Sequence, residues 1–345
     1  MSVARRYDTI IIGVGGMGSA ALYHLARRGQ RVLGLERFDI PHSMGSSHGV
    51  TRIIRLAYYE DPSYVPLLRR AYELWRELEA KVGEQLLHIT GSIDAGPADS
   101  QCFQGSRASC EEHALPHEVL TGAEVNQRFP GYHLPDDHLA VLQPDGGYLL
   151  SERCIVAHVA AAQALGAEVH ARERVLGWES RGDAIRVTTN HGVYESNRLI
   201  VSAGAWVGEL VPGLKPLTTP ERQVLAWLQP QQPDFFAPER FPVFNLQVDE
   251  GRYYGFPVVS VPGFKFGRYH HLSEAVDPET IDREPNTADE EILRQFAERY
   301  FPDGTGPTMA MRACMFTNAP DEHFILDVHP EDSRVVIASP CSGHG

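Results

Sequence analysis

The opening of the chain changes texture three times. Ile10, Ile11 and Ile12 form an unbroken β-branched run, the pattern of a strand buried on both faces. Gly13-Val14-Gly15-Gly16-Met17-Gly18 interrupts it, and apolar residues then recur at helical spacing through Ala20, Leu22, Leu25 and Ala26. Gly29 stands where a left-handed residue stops a helix, and Gln30–Leu35 read as a second strand ended by Glu36. From Phe38 to Gly49, proline, glycine and small hydroxyl residues exclude regular structure.

Later segments repeat these textures. Asp61-Pro62 reads as a helix cap and first helical residue, opening an amphipathic helix from Val65 to Lys81 with Leu68, Tyr72, Trp75 and Leu78 on its apolar side. Strand-like pieces at Leu87–Thr90 and His138–Gln143 alternate with polar, glycine- and proline-bearing stretches. Ser151–Ala164 has helical spacing, a run of strands starts at Ala167, and Leu199–Val201 is a β-branched run ending in Ala203-Gly204, the small residues that close backbone approach to a ligand requires. Arg222–Leu228, Arg252–Pro257 and Gly263–His271 read as strands, Ala288–Tyr300 as a helix, and Arg312–Thr317, Asp321–Asp327 and Arg334–Ser339 as further extended pieces. The sum is an α/β chain: a doubly wound, mostly parallel sheet interrupted by two insertions. A glycine-rich turn after a buried strand normally opens a helix in such a fold, yet the sequence ends at Gly345 and reads as cut short.

Composition narrows the class. The 345 residues allow about two domains. With 31 basic and 45 acidic residues the net charge is −14, which disfavours nucleic acid or an anionic membrane surface as a partner. Five scattered cysteines without a Cys-x-x-Cys suggest neither a disulfide framework nor a zinc site, and no apolar run approaches membrane-spanning length. A cytoplasmic protein of a reducing compartment is expected. Only Lys81, Lys215 and Lys265 are lysines.

The glycine stretch has a definite chemistry. Gly13 permits a tight turn, Gly15 lets backbone approach a pyrophosphate, and Gly18 lets helix and strand pack closely. The helix N-terminus offers free amides to the phosphates, while Glu36 can accept from ribose hydroxyls and repel a 2′-phosphate. Both FAD and NAD bind such a unit. Arg52 and Arg55 lie three apart, on one face if helical; they are either a fork for an acid substrate or two surface charges. Lys265, between Phe264 and Phe266, faces opposite to both, pointing either into a cavity or outward from an edge strand. His113 and His117 have the spacing of metal ligands, but Pro116 between them speaks against a helix and against a metal site.

Taken together, Gly13–Gly18, Gly45-Ser46-Ser47-His48-Gly49-Val50-Thr51-Arg52-Ile53-Ile54-Arg55, Tyr253–Pro257, Gly263-Phe264-Lys265, Cys314–Thr317, Asp321–Asp327 and Ser342–Gly345 resemble the monomeric sarcosine oxidase and N-methyl-tryptophan oxidase family, over effectively the whole chain. The resemblance implies a Rossmann-like FAD-binding domain (residues 1–85, 148–216 and 322–345) with an inserted α+β substrate domain (86–147 and 217–321) containing an antiparallel-rich sheet. It implies a monomer that oxidises a secondary amino acid, N-methyl or cyclic, to an imine and reduces O2 to hydrogen peroxide. The flavin would be covalently bonded to Cys314. Arg55 would hold the substrate carboxylate, a partner lysine falling beyond Gly345; Arg52 would lie by the flavin ring, His48 would be a further catalytic residue, Lys265 would serve oxygen activation, and Tyr254 with His270 (or His271) would line the substrate pocket. Besides the glycines and Glu36, the cofactor would be met by Gly16, Met17, Arg37, Gly45, Ser46, Thr51, Arg52, Val175, Ala203, Gly204, Trp206, Gly343 and Gly345. Phe316 stands where some members have tyrosine. The readings that compete with this one are a nicotinamide-dependent dehydrogenase on the same fold and a non-catalytic flavin-binding remnant.

Overall fold

The β-branched run at Ile10–Ile12 is the centre of the first sheet. A computed structural model describes residues 6–344, and in it strand Arg6–Ile12 pairs in parallel with Val32–Leu35 on one side and Val193–Val201 on the other. Both faces of the run are covered, which is why no polar residue interrupts it. Glu168–His170 extends the sheet beyond Val32–Leu35. On the far side the long strand Val193–Val201 is shared between two partners. Its first half pairs antiparallel with Ala184–Thr189, whose hairpin partner is Val175–Arg181, and its last residues pair in parallel with Val335–Ile337. Helices Gly16–Arg27 and Ser151–Ala164 cover one face, burying Ile11, Val14, Leu22, Ala157 and Ala161.

The second sheet has eight strands, running Thr308–Asn318, Thr219–Leu228, Phe264–Arg268, Gly251–Phe256, Val243–Val248, Ser92–Pro97, His138–Gln143 and Glu118–Thr121. Every pairing is antiparallel except the parallel one between Val243–Val248 and Ser92–Pro97. Its core is phenylalanine-rich: Phe236, Phe241, Phe244, Phe264, Phe266 and Phe301 pack together, with Phe296 of helix Thr287–Tyr300 stacked on Tyr253 at 3.7 Å. A small third sheet of Thr51–Ile54, Gly147–Leu150 and Leu87–Ile89 lies where the chain passes from the first sheet to the second. Among the described residues no helix is long and apolar enough to cross a membrane.

Several local expectations are refined. Arg52 lies on a strand and Arg55 just past it, so their three-residue spacing is not helical. Asp61 caps by accepting from the Ser63 amide at 2.8 Å, but a 3-10 turn, Pro62–Tyr64, precedes helix Val65–Val82. Two helices, Gln101–Glu112 and Gly122–Arg128, occupy a stretch read as strand pieces and loops. The first was hidden because its buried face is partly polar. Gly105 rests on the backbone of Tyr59, and the Ser106 and Ser109 hydroxyls donate to the carbonyls of Ala57 and Tyr58, so apolar periodicity is weak there. His113 and His117 do not converge: their rings engage the carbonyls of Pro62 and Leu115 respectively.

Asp289 ties helix Thr287–Tyr300 to the second sheet. It is fully buried, takes both terminal nitrogens of Arg222 at 2.9 Å, contacts His271 Nε2 at 2.8 Å, and accepts the Asn286 amide. Removing one partner of such a pair leaves an uncompensated buried charge. Asp289→Ala should therefore destabilise the fold by about 3–5 kcal/mol, read as a lowered denaturant midpoint.

Candidate active site

The glycine turn shapes the site through contact distances. Gly13 has φ +88°, and a Cβ there would lie 2.5 Å from the Ser202 carbonyl oxygen; at Gly18 it would lie 1.8 Å from the Gly13 oxygen. Only glycine at both positions lets helix Gly16–Arg27 start directly against the strand end, where its free amides face a cleft. The cleft has a volume of about 750 Å³ and runs past Gly13, Gly15, Gly16 and Met17 to Glu36 at one end and Arg55 at the other.

At the first end Glu36 is buried. Its oxygens accept the amides of Val14 at 2.9 Å and Phe38 at 3.0 Å, and His42 Nε2 lies 3.5 Å away. Burial alone would raise its pKa, but His42 and the two amides outweigh this and hold it below the ordinary carboxylate range. Arg37, Val175, Ala203, Gly204 and Trp206 all line this part of the cleft. Arg37 lies over the rings of Phe38 and Trp206, and Glu279, from the segment between strand Phe264–Arg268 and helix Thr287–Tyr300, accepts from Arg37 Nη2 and from Trp206 Nε1, both at 2.7 Å. The paired Arg37 holds Glu279 at about 2. Gly45, Ser46 and Gly343 also line the cleft; Gly343 presses on the Phe316 ring, and the Ser47 hydroxyl accepts the Gly16 amide. Gly345 lies outside the described residues.

Behind the cleft wall sits a buried lysine. Lys265 is 2% exposed, and its Nζ donates to the Thr51 carbonyl at 2.8 Å and hydroxyl at 2.9 Å. The side chain points inward, toward the loop and away from the phenylalanine core. Its ammonium lies 4.2 Å over Phe256. Burial, reinforced by the Arg52 charge, pushes its pKa well below the usual lysine value. Arg52 lines the cleft and donates to the carbonyls of Thr51 and Ser46. His48 is buried, its Nε2 without a hydrogen-bond partner among the described residues, and burial followed by the Arg52 charge lowers its pKa to about 3, so it is neutral. Cys314 is buried against Leu225 and Trp227, with Tyr254 packed on the same cluster; burial raises the thiol's pKa. Thr51, Lys265, His48, Tyr254 and Cys314 are not among the cleft-lining residues; they stand behind Arg52.

At the second end Arg55 is 4% exposed, between the rings of Tyr58 and Tyr59 at 4.5 Å each. It donates to Glu60 at 2.5 Å, and its Nε lies 3.8 Å from Asp94. Asp94, fully buried, is raised to about 6 by desolvation despite Arg55, Ser106 and Asn245. His270 departs from a pocket-lining position. It has φ +53°, and its ring nitrogens face Glu221 at 3.0 Å and Glu322 at 3.2 Å. His271 is no alternative, being committed to Asp289 in the core. Tyr269 instead packs on Tyr254 at 5.2 Å and on Phe316 at 5.6 Å.

Four contributors were missed by sequence reasoning: His42, Ser47, Glu152 and Glu279. Glu152 accepts the amides of Gly49 and Val50 and so fixes the loop that carries His48 and Thr51. Its only sequence signal is an acidic residue in the first turn of a helix.

The parallel sheet, the glycine cradle and the ribose-side acid define a dinucleotide-dependent oxidoreductase. The chain matches the model of the FAD dependent oxidoreductase family over residues 8–345. It is 41% identical to a monomeric sarcosine oxidase of Bacillus sp. (strain B-0618), over 99% of this chain and 89% of that protein. It is 36% identical to an N-methyl-L-tryptophan oxidase of Yersinia pestis (strain Pestoides F), over 98% of this chain and 91% of that one. Among solved structures, the L-proline dehydrogenase of P. horikoshii superposes with a TM-score of 0.84 at 20% identity, covering 99% of this chain and 90% of that chain, which speaks for the fold alone. The protein belongs to the FAD-dependent oxidoreductase family, and its cofactor is FAD; the nicotinamide reading is set aside. The cleft fits such a group, since its size lies in the ligand-pocket range and the two glycines clear exactly the space a side chain would fill at the turn.

Because Glu279 is the acid that holds Arg37 and Trp206 at the Glu36 end, Glu279→Gln should loosen that wall. The expected result is about tenfold weaker FAD binding by apoprotein in a Cys314→Ala background, followed by flavin fluorescence.

Proposed function

We propose that this protein oxidises a secondary amino acid, N-methyl or cyclic, to its imine, with O2 reduced to hydrogen peroxide. The observation that carries the reading is a single cleft joining the glycine cradle to Arg55, with the buried Lys265 just behind its wall. The names of the relatives, a sarcosine oxidase and an N-methyl-L-tryptophan oxidase, support the substrate class. When bound, FAD supplies the two-electron acceptor. The division into a discontinuous FAD domain and an inserted substrate domain belongs to the same proposal; the two eight-stranded sheets support it.

Arg55 holds the substrate carboxylate. Its guanidinium now donates to Glu60, so substrate binding exchanges one carboxylate for another in a site already desolvated and lined by aromatic rings. Arg52 supplies fixed positive charge at the cleft wall. Lys265, held by Thr51 in a preset position, offers a cation whose orientation costs no reorganisation when negative charge develops on oxygen. Tyr254 and His48 back that side from behind Arg52, and His270 holds the nearby edge through Glu221. Cys314 is assigned the covalent flavin bond; the positive charges of Arg52 and Lys265 oppose the effect of burial and favour its thiolate.

Purified protein should be yellow, and the colour should stay with the pellet after acid precipitation; colour in the supernatant would remove the role of Cys314. Anaerobic sarcosine should bleach the flavin. Arg55→Ala should raise KM by about a hundredfold with the flavin spectrum unchanged, as expected for loss of a charge-assisted contact. Lys265→Met should slow reoxidation by O2 by about a hundredfold or more while sparing anaerobic reduction; normal reoxidation would refute that assignment.

A further inference from the structure

The pleat of the second sheet places an arginine with no role in the reaction against the Tyr59 ring that also carries Arg55, just outside the residues that line the cleft. Along Gly251–Phe256, Tyr253 turns into the core and stacks on Phe296, so Arg252, Tyr254 and Phe256 point to the opposite face. That is the face of Lys265, whose register partner is Phe256, and Tyr254 lies across from Gly267. The next step outward along the same pair brings Arg252 opposite Tyr269, whose amide donates to the Arg252 carbonyl at 2.8 Å. Lys265, Tyr254 and Arg252 thus form one row on the site side of the sheet.

Arg252 is largely buried, its side chain 16% exposed, and its guanidinium lies 4.2 Å over Tyr269 and 5.3 Å over Tyr59. The same Tyr59 ring carries Arg55 at 4.5 Å. The two arginines differ in how their donors are spent. Arg55 has Glu60 at 2.5 Å and Asp94 at 3.8 Å. The Arg252 guanidinium makes no hydrogen bond among the described residues; its nearest carboxylate is Glu322, 3.8 Å away, half-exposed and shared with His270. A planar fork of N–H donors, stacked in place by two rings and short of acceptors in a desolvated setting, is built to receive a carboxylate.

We infer that Arg252 is a second carboxylate-binding residue and that the substrate is an N-alkyl amino acid with an acidic side chain. The inference rests on the oxidase reading above for the α-carboxylate at Arg55. The side-chain acid then meets Arg252, which makes this residue a determinant of specificity rather than of the chemical step.

The test compares holoenzyme and its Arg252→Met and Arg252→Lys variants on N-methyl-L-glutamate, N-methyl-L-leucine and sarcosine. Wild type should favour N-methyl-L-glutamate over N-methyl-L-leucine. Arg252→Met should cut kcat/KM for N-methyl-L-glutamate by about thirtyfold or more, mainly through KM, and leave sarcosine within about threefold; Arg252→Lys should restore part of the loss. A measurement independent of turnover accompanies it, the perturbation of flavin absorbance by glutarate, which should weaken about tenfold in Arg252→Met. Equal losses on sarcosine and N-methyl-L-glutamate would overturn the inference, as would unchanged kinetics and unchanged glutarate binding. If no N-methyl amino acid reduces the flavin, the oxidase reading fails by itself, and glutarate binding still decides the role of Arg252.

Discussion

The backbone contact between Gly13 and Gly18 is the constraint on which the site depends. A Cβ at Gly18 would lie inside the van der Waals surface of the Gly13 carbonyl, and one at Gly13 would strike Ser202 at the end of the neighbouring strand. With neither atom present, strand end, turn and helix N-terminus converge. The amides of the first helical turn then face the cleft, and Glu36, at the tip of the adjacent strand, reaches back to the Val14 amide. The shared strand Val193–Val201 ends at Ser202, so the same close approach aligns both sides of the cofactor cleft.

Around this frame, positive charge is placed according to how each cation is partnered. Among the described residues Lys265 has no carboxylate partner and is held by the carbonyl and hydroxyl oxygens of Thr51. Arg52 likewise spends its donors on backbone carbonyls. Arg55 is neutralised by Glu60 and must exchange that partner to bind an acid, whereas Arg222 is tied to Asp289 and serves the fold. Residue type alone does not separate these roles; the acceptor each guanidinium or ammonium finds does.

Much of the frame was legible in the chain. The Ile10–Ile12 run, the glycine spacing, Gly29 as a left-handed stop and Glu36 each carry their signal within a few residues, because steric and helix-ending constraints are local. Helix Gln101–Glu112 was not legible, since it buries serines and a glycine against backbone and so lacks an apolar stripe. Nor was the direction of His270: two neighbouring histidines look equivalent in sequence, yet a positive φ turns one toward Glu221 while the other enters the core.

By itself, then, the sequence determined the α/β class, the dinucleotide cradle and the candidate chemistry of Arg55, Lys265 and Cys314, since glycine spacing, β-branched runs and family motifs are written in contiguous residues. Only the tertiary structure decided which way Lys265 points, that Arg55 is already held by Glu60, that Glu279 crosses more than two hundred positions to grip Arg37, and that Arg252 lies over Tyr59 with Glu322 3.8 Å from its guanidinium. Those outcomes depend on sheet register and on which acceptor lies within about 3 Å, and such distances are set by strands far apart in the chain meeting face to face.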